Sequence, residues 1–171
     1  MHVAEQVVLI NGLPASGKTT LGIELARRLG WVFLSKDALK EALAQPVWPG
    51  VPSDRLGGLA LDTMYRLAAE VPGGVVLDAI WLSTRDRPFL ETGLATMGEP
   101  LVVEVWCDIP ESLARERFES RAADRHPMHG AWRPGFWDEA GPITENPIRV
   151  DTGVAVDVAA LARRVTDAVA F

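Results

Sequence analysis

Short runs of unbroken apolar residues alternate along this chain with longer stretches in which apolar positions return every three or four residues. The first run, Val7 to Asn11, is apolar at consecutive positions, as in a strand covered on both faces. Leu21, Leu25 and Leu29 follow four apart and predict a helix over Lys18 to Leu29, stopped by Gly30. Trp31–Leu34 predicts a second strand and Asp37–Ala44 a short helix ending near Pro46. After the Pro- and Gly-rich "PVWPGVPS", Ser53 is placed to cap a helix from Asp54 to Glu70. The turn "PGG" leads to a third strand, Val75–Leu77, then a helix over Arg85–Met97 weakened by Pro88 and Gly93. Leu101–Trp106 is the fourth strand, Glu111 to about Ala123 a helix, and Ile148–Val150 and Val156–Val169 the last strand and helix. Strand and helix alternate throughout, which predicts an α/β fold on a parallel sheet. Residues 124–147 are rich in proline and glycine, and too long for a simple connector.

Composition narrows this picture. A chain of 171 residues that is 48% apolar suits a single packed domain. A net charge of −6 argues against a nucleic-acid or membrane-surface partner, while leaving room for a local basic site. Cys107 is the only cysteine, so no intrachain disulfide forms and a reducing, cytoplasmic setting is expected. Met1–Gln6 lacks the basic start and apolar core of a signal peptide, and no run has transmembrane length.

The chemistry begins in "INGLPASGKTTL". Gly12 to Thr19 fits G-x-x-x-x-G-K-[ST] between a predicted strand and a predicted helix. Gly12 and Gly17 allow backbone amides to converge on phosphate oxygens, and Pro14, Ala15, Ser16 and Thr20 complete the cradle. The start of the helix adds the positive end of its dipole. Lys18 is expected to reach the β- and γ-phosphates, and the Thr19 hydroxyl to ligate Mg²⁺. ATP and Mg²⁺ are the expected cofactors.

Ligands of a parallel α/β sheet bind beyond the carboxyl ends of the strands, where Asp37 lies after the second strand. A carboxylate there suits a general base for an acceptor hydroxyl, and Lys40, three residues on, suits an anion. Asp37 would also serve simply to complement its helix's N-terminus. Asp78 ends the apolar strand "GVVLD" and fits either the Mg²⁺ ion or the acceptor. Arg85 or Arg87 would reach the acceptor, or else decorate a solvated helix start.

Arg117, Arg121 and Arg125 recur every four residues and predict one helix face leading into the irregular segment. Such arginines stabilise charge on a transferring phosphoryl group, most plausibly Arg121 or Arg117, with the irregular segment as a lid over residues 121–147. His126 and His129 have no third ligand nearby and fit lid packing or acceptor contact better than zinc. Trp48, Trp81, Trp132 and Trp137 lie outside the predicted strands, as acceptor walls or as loop packing.

Together, the phosphate loop, "LSKDALKEAL", "VVLDAIWLSTRDR", "RERFESRAADRHP" and "RVDTGVAVDV" resemble the small phosphate-loop kinases. That group includes the kinase domain of phage-type polynucleotide kinase, zeta-toxin kinases, chloramphenicol phosphotransferase and other AAA_33-type ATP-binding proteins. The resemblance implies a three-layer α/β/α sandwich with a five-stranded parallel sheet in the order 2-3-1-4-5. It implies Lys18 and Thr19 for phosphate and Mg²⁺, Asp37 as base, and Arg121, with Arg117 or Arg125, as lid charge. It also implies that the segment around Thr152 lies near the adenine. In "PVWPGVPS" the chain departs from any one acceptor pattern.

The leading expectation is an ATP-dependent kinase for a small-molecule hydroxyl, acting as a monomer or homodimer. A polynucleotide 5′-hydroxyl kinase is the second enzymatic reading, and a nucleotide-dependent switch the reading of another class.

Overall fold

The computed structural model describes residues 4–135, 137–138 and 140–170. Five strands form one parallel sheet: β1 (Ala4–Gly12), β2 (Val32–Ser35), β3 (Gly73–Asp78), β4 (Leu101–Asp108) and β5 (Ile148–Asp151). Their spatial order is β2-β3-β1-β4-β5, the order that the resemblance implied. Six helices connect and close the sheet: α1 (Lys18–Leu29), α2 (Lys36–Ala44), α3 (Ser53–Ala69), α4 (Arg87–Thr96), α5 (Glu111–Ser120) and α6 (Val158–Val169).

The alternation of side chains along β1 builds both cores. Val8 and Ile10 face α1 and α6, where Leu21, Leu25, Leu161 and Val165 bury the four-residue stripes of those helices. Val7 and Leu9 point the other way, onto Met64, Tyr65 and Ala68 of α3 and Leu90 of α4. The result is a three-layer sandwich. Leu25 is wholly buried, and its truncation to Ala would cost ~2–5 kcal/mol.

Three local expectations change. Ser53 does not cap α3; Pro52 holds that position, and the Ser53 hydroxyl accepts from Lys40 Nζ and donates to the Met128 carbonyl, both at 2.7 Å. Helix α4 starts at Arg87 rather than Arg85 because Pro88 fits the first turn, where no amide is needed. Arg117, Arg121 and Arg125 do not share a helix face. Helix α5 ends at Ser120, a 3₁₀ turn follows at Ala122–Asp124, and Arg125 and His126 are extended ahead of Pro127. The residue before a proline is driven out of the helical region, so the helical path does not continue through His126.

Within the expected lid range, Phe136 and Glu139 lie outside the described residues, as do Met1–Val3 of the expected non-signal N-terminus. Among the described residues, no helix is long and apolar enough to cross a membrane.

Candidate functional site

The loop between β1 and α1 takes its shape from backbone that few residues adopt. Gly12 has φ +145°, and a Cβ there would sit 2.8 Å from both the Cys107 carbonyl oxygen and Ser16 Oγ. Gly17, at φ +91°, enters α1 in the left-handed region, and Ala15 is also left-handed at φ +58°. The turn closes with Ser16 N donating to Leu13 O at 3.2 Å. Lys18 Nζ donates to Leu13 O at 2.6 Å, which holds the ammonium across the loop.

Around this loop, β1, β4, the chain just after β3 and the stretch at Ile143 and Thr144 are tied together by buried polar groups. Asn11 donates to the Trp81 carbonyl and to Glu104 Oε1, each at 2.9 Å, while its Oδ1 accepts from the amides of Gly12 and Trp81. Glu104, 1% exposed on β4, also accepts from the amides of Ile143 and Thr144 and from the Thr144 hydroxyl. Its oxygens therefore receive four hydrogen bonds, which is why a carboxylate is tolerated in the core. These contacts fix the far end of the 121–147 segment to the strand that delivers the phosphate loop.

A cavity of about 350 Å³ opens above the carboxyl ends of the strands. The structure brings to it Pro14, Ala15, Gly17, Lys18, Thr19 and Thr20 of the loop, Asp37 and Lys40 of α2, Asp78 of β3, and Arg121 and Arg125. Thr19 Oγ1 donates to Asp78 Oδ2 at 2.6 Å. Ser35 is the residue paired with Asp78 across β2 and β3. Burial pushes the Asp78 carboxyl above the usual range, against the opposing pull of Lys18 and the Thr19 hydroxyl. Burial likewise draws Lys18 below the ordinary lysine value, with Asp78 opposing it most strongly. Thr19 and Asp78 offer hard oxygen donors at the cavity of the kind that suits Mg²⁺.

Ser35 holds the N-cap position of α2, so Asp37 is not needed there. Asp37 is exposed in the first turn, lines the cavity, and makes no side-chain hydrogen bond among the described residues.

Several expected site residues lie elsewhere. Trp81 is 1% exposed in the core under α3, with its indole N–H donated to Tyr65 Oη at 2.9 Å, so it cannot wall an acceptor. Trp48 packs on Ala44, Leu56 and Met128 and meets His126 edge-on at 6.0 Å, outside the cavity. Arg87 donates to the Ile143 carbonyl at 2.7 Å and anchors α4 to the segment before β5, and Arg85 pairs with Asp86. Arg117 also lies outside the cavity; it donates to the Thr152 carbonyl at 3.2 Å. Thr152 Oγ1 donates to Ser16 O at 2.6 Å, so the segment after β5 braces the phosphate loop from behind. Ser16 itself is buried beneath the loop.

His129 and Trp137, expected as acceptor contacts or as packing, also line the cavity, as do Lys36, Glu41, Phe118 and Arg133, which no sequence pattern singled out. His129 Nε2 lies 2.8 Å from Glu41 Oε1, which joins the segment after α5 to α2. The Arg125 guanidinium stacks 3.5 Å above Phe118, which packs edge-on against Trp132. Trp132 is buried in a small core with Leu13 and Ile109, while Phe118 and Trp137 pack against that core and also line the cavity.

Comparison with solved structures finds the same architecture. A candidate kinase from Chloroflexus aurantiacus is 24% identical, with a TM-score of 0.74 over 95% of this chain and 97% of its own. The APS kinase CysC of Mycobacterium tuberculosis, in complex with AMPPNP and APS, is 20% identical with a TM-score of 0.68 over 100% of both chains. Kti12 of Chaetomium thermophilum, in complex with ADP-AlF3, is 18% identical with a TM-score of 0.64 over 96% of this chain and 100% of its own. At these identities the likeness concerns the fold. Among curated proteins no sequence matches significantly. The family model AAA_33, described as an AAA domain, matches residues 7–131, and with that strand–loop–helix and its sheet the chain belongs to the AAA_33 family.

Proposed function

We propose that this chain is an ATP- and Mg²⁺-dependent phosphotransferase whose acceptor is a hydroxyl group of a small molecule. The observation that carries the reading is the meeting of Lys18, the Thr19–Asp78 pair and the unpartnered Asp37 carboxylate in one cavity. In the proposed reaction an oxygen–phosphorus bond forms between the acceptor oxygen and the γ-phosphorus. The bond from that phosphorus to the bridging oxygen of ADP breaks, and Asp37 takes the hydroxyl proton. Amides of the phosphate loop and Lys18 hold the phosphates, while Thr19 and Asp78 would hold Mg²⁺. When bound, the ion neutralises charge on the phosphate oxygens.

Arg121 and Arg125 supply positive charge from the lid side, and Arg117 acts behind the loop through Thr152, which we place near the adenine. The whole chain forms one kinase domain with residues 121–147 as its lid. A cytoplasmic monomer or homodimer fits the lone buried cysteine.

The APS kinase relative, with AMPPNP and APS bound, supports ATP and a small acceptor. Kti12 is not named as a kinase, and a regulatory switch would activate water rather than hold an alcohol. Asp37, free of any capping role, favours the alcohol. The acidic chain weighs against a polynucleotide acceptor. The nucleotide half of the proposal is tested with Lys18→Ala, measured by calorimetry with Mg²⁺ and AMPPNP. A loss of affinity on the order of 100-fold is expected from removal of a buried charged partner; wild-type affinity would contradict the assignment.

A further inference from the structure

The chain is acidic overall and contains three lysines, Lys18, Lys36 and Lys40. All three line the one cavity. Lys18 belongs to the phosphate loop. Lys36 and Lys40 come from α2, where they flank Asp37 and lie four residues apart on one helix face.

Nothing in nucleotide binding requires this second pair. Lys40 is 7% exposed, and burial lowers the proton affinity of its amine, reinforced by Lys36. One of its three donors goes to Ser53 Oγ at 2.7 Å. An uncharged side chain would satisfy Ser53, so a buried ammonium is a costly choice for that bond alone. Lys36 makes no hydrogen bond or ion pair among the described residues, and its Nζ reaches over the first turns of α3 near Gly57. The carboxylates whose charge reaches Lys40 are Asp37 and Asp54, and among the described residues neither forms an ion pair or hydrogen bond with Lys36 or Lys40; Glu41 is hydrogen-bonded to His129 at 2.8 Å.

We propose that the acceptor alcohol carries an anionic group, a phosphate, sulfate or carboxylate, held by Lys36 and Lys40 so that its hydroxyl lies at Asp37. This rests on the kinase reading and narrows it to anionic small molecules. Lys40 also links the acceptor to the lid, because Ser53 passes its hydroxyl hydrogen to the Met128 carbonyl at 2.7 Å. An anion on Lys40 therefore sits at the contact between α2, α3 and the lid.

The test uses the full chain saturated with Mg²⁺ and AMPPNP, titrated calorimetrically with inorganic sulfate and, separately, with acetate. Saturation keeps either anion off the phosphate loop. Sulfate binding that weakens about tenfold or more in both Lys36→Met and Lys40→Met, as loss of a charge-assisted hydrogen bond implies, supports a phosphate- or sulfate-bearing acceptor. Acetate binding with the same sensitivity supports a carboxylate. Binding of neither anion, or binding unchanged in both variants, overturns the proposal while leaving the kinase reading intact. Failure of AMPPNP to bind the wild-type chain overturns both. Unchanged AMPPNP affinity in the two variants reports that each is folded, and Lys36→Met keeps the test decisive if Lys40→Met is not.

Discussion

Thr19 donates its hydroxyl hydrogen to Asp78 at 2.6 Å, and this bond ties the first turn of α1 to the carboxyl end of β3. It joins the residue after the phosphate-loop lysine to an acid 59 positions away, and both face the cavity floor. In sequence, Asp78 fitted either the metal or the acceptor. The bond to Thr19 favours the metal.

Asp78→Asn should therefore shift the Mg²⁺ requirement rather than acceptor affinity. Turnover is expected to fall on the order of 100-fold or more, with half-saturation moved to higher Mg²⁺. A Mg²⁺ titration of activity checks this; an unaltered titration curve with a raised acceptor KM would assign Asp78 to the acceptor instead.

Glu104 holds Ile143 and Thr144, in the segment proposed as the lid, and the near end of the phosphate loop through Asn11. Glu104→Gln replaces one accepting oxygen with an amide that faces donors. A cost of roughly 2–4 kcal/mol is expected, or about 4–16 °C in Tm for a domain of this size. Thermal denaturation measures the loss, and amide exchange should quicken at Ile143 and Thr144. Exchange there at the wild-type rate would show that the network does not anchor the lid.

Cys107 lies beside Gly12 at the end of β4, and burial pushes its thiol from 9.0 up to about 12, with Lys18 pulling the other way. A raised thiol favours the folded chain fully below pH 9.0, the unfolded value, and that advantage is lost as pH climbs through about 12. At pH 8.5 native Cys107 should alkylate roughly 1000-fold more slowly than in denaturant, from ionisation alone. Comparable rates measured by mass spectrometry would show an open or ionised thiol.

Helix α1, the sheet and the phosphate loop were legible in the sequence because each rests on local pattern: leucines four apart, apolar runs, glycines at fixed spacing. The position of Asp37 at the cavity, though not its role, was legible from its place after β2. The arginine series was not, since regular spacing says nothing about where a helix stops, and the bend before Pro127 carried Arg125 off the face. Trp81 and Arg87 were read as acceptor contacts, yet the long-range partners Tyr65 and Ile143 claim them. Glu104 did leave a trace, a lone carboxylate within "LVVEVW", but its four donors come from distant segments.

The central claim is that Asp37 activates an alcohol held beneath the γ-phosphate. The most direct measurement follows ¹⁸O-labelled γ-phosphate by mass spectrometry, with alcohols that bear phosphate, sulfate, carboxylate or no charge. Wild-type chain should place the label on an alcohol. Asp37→Asn should keep AMPPNP affinity within about twofold and slow that transfer by roughly 10²–10⁴. Label recovered only as inorganic phosphate, or transfer by Asp37→Asn at the wild-type rate, would contradict the account.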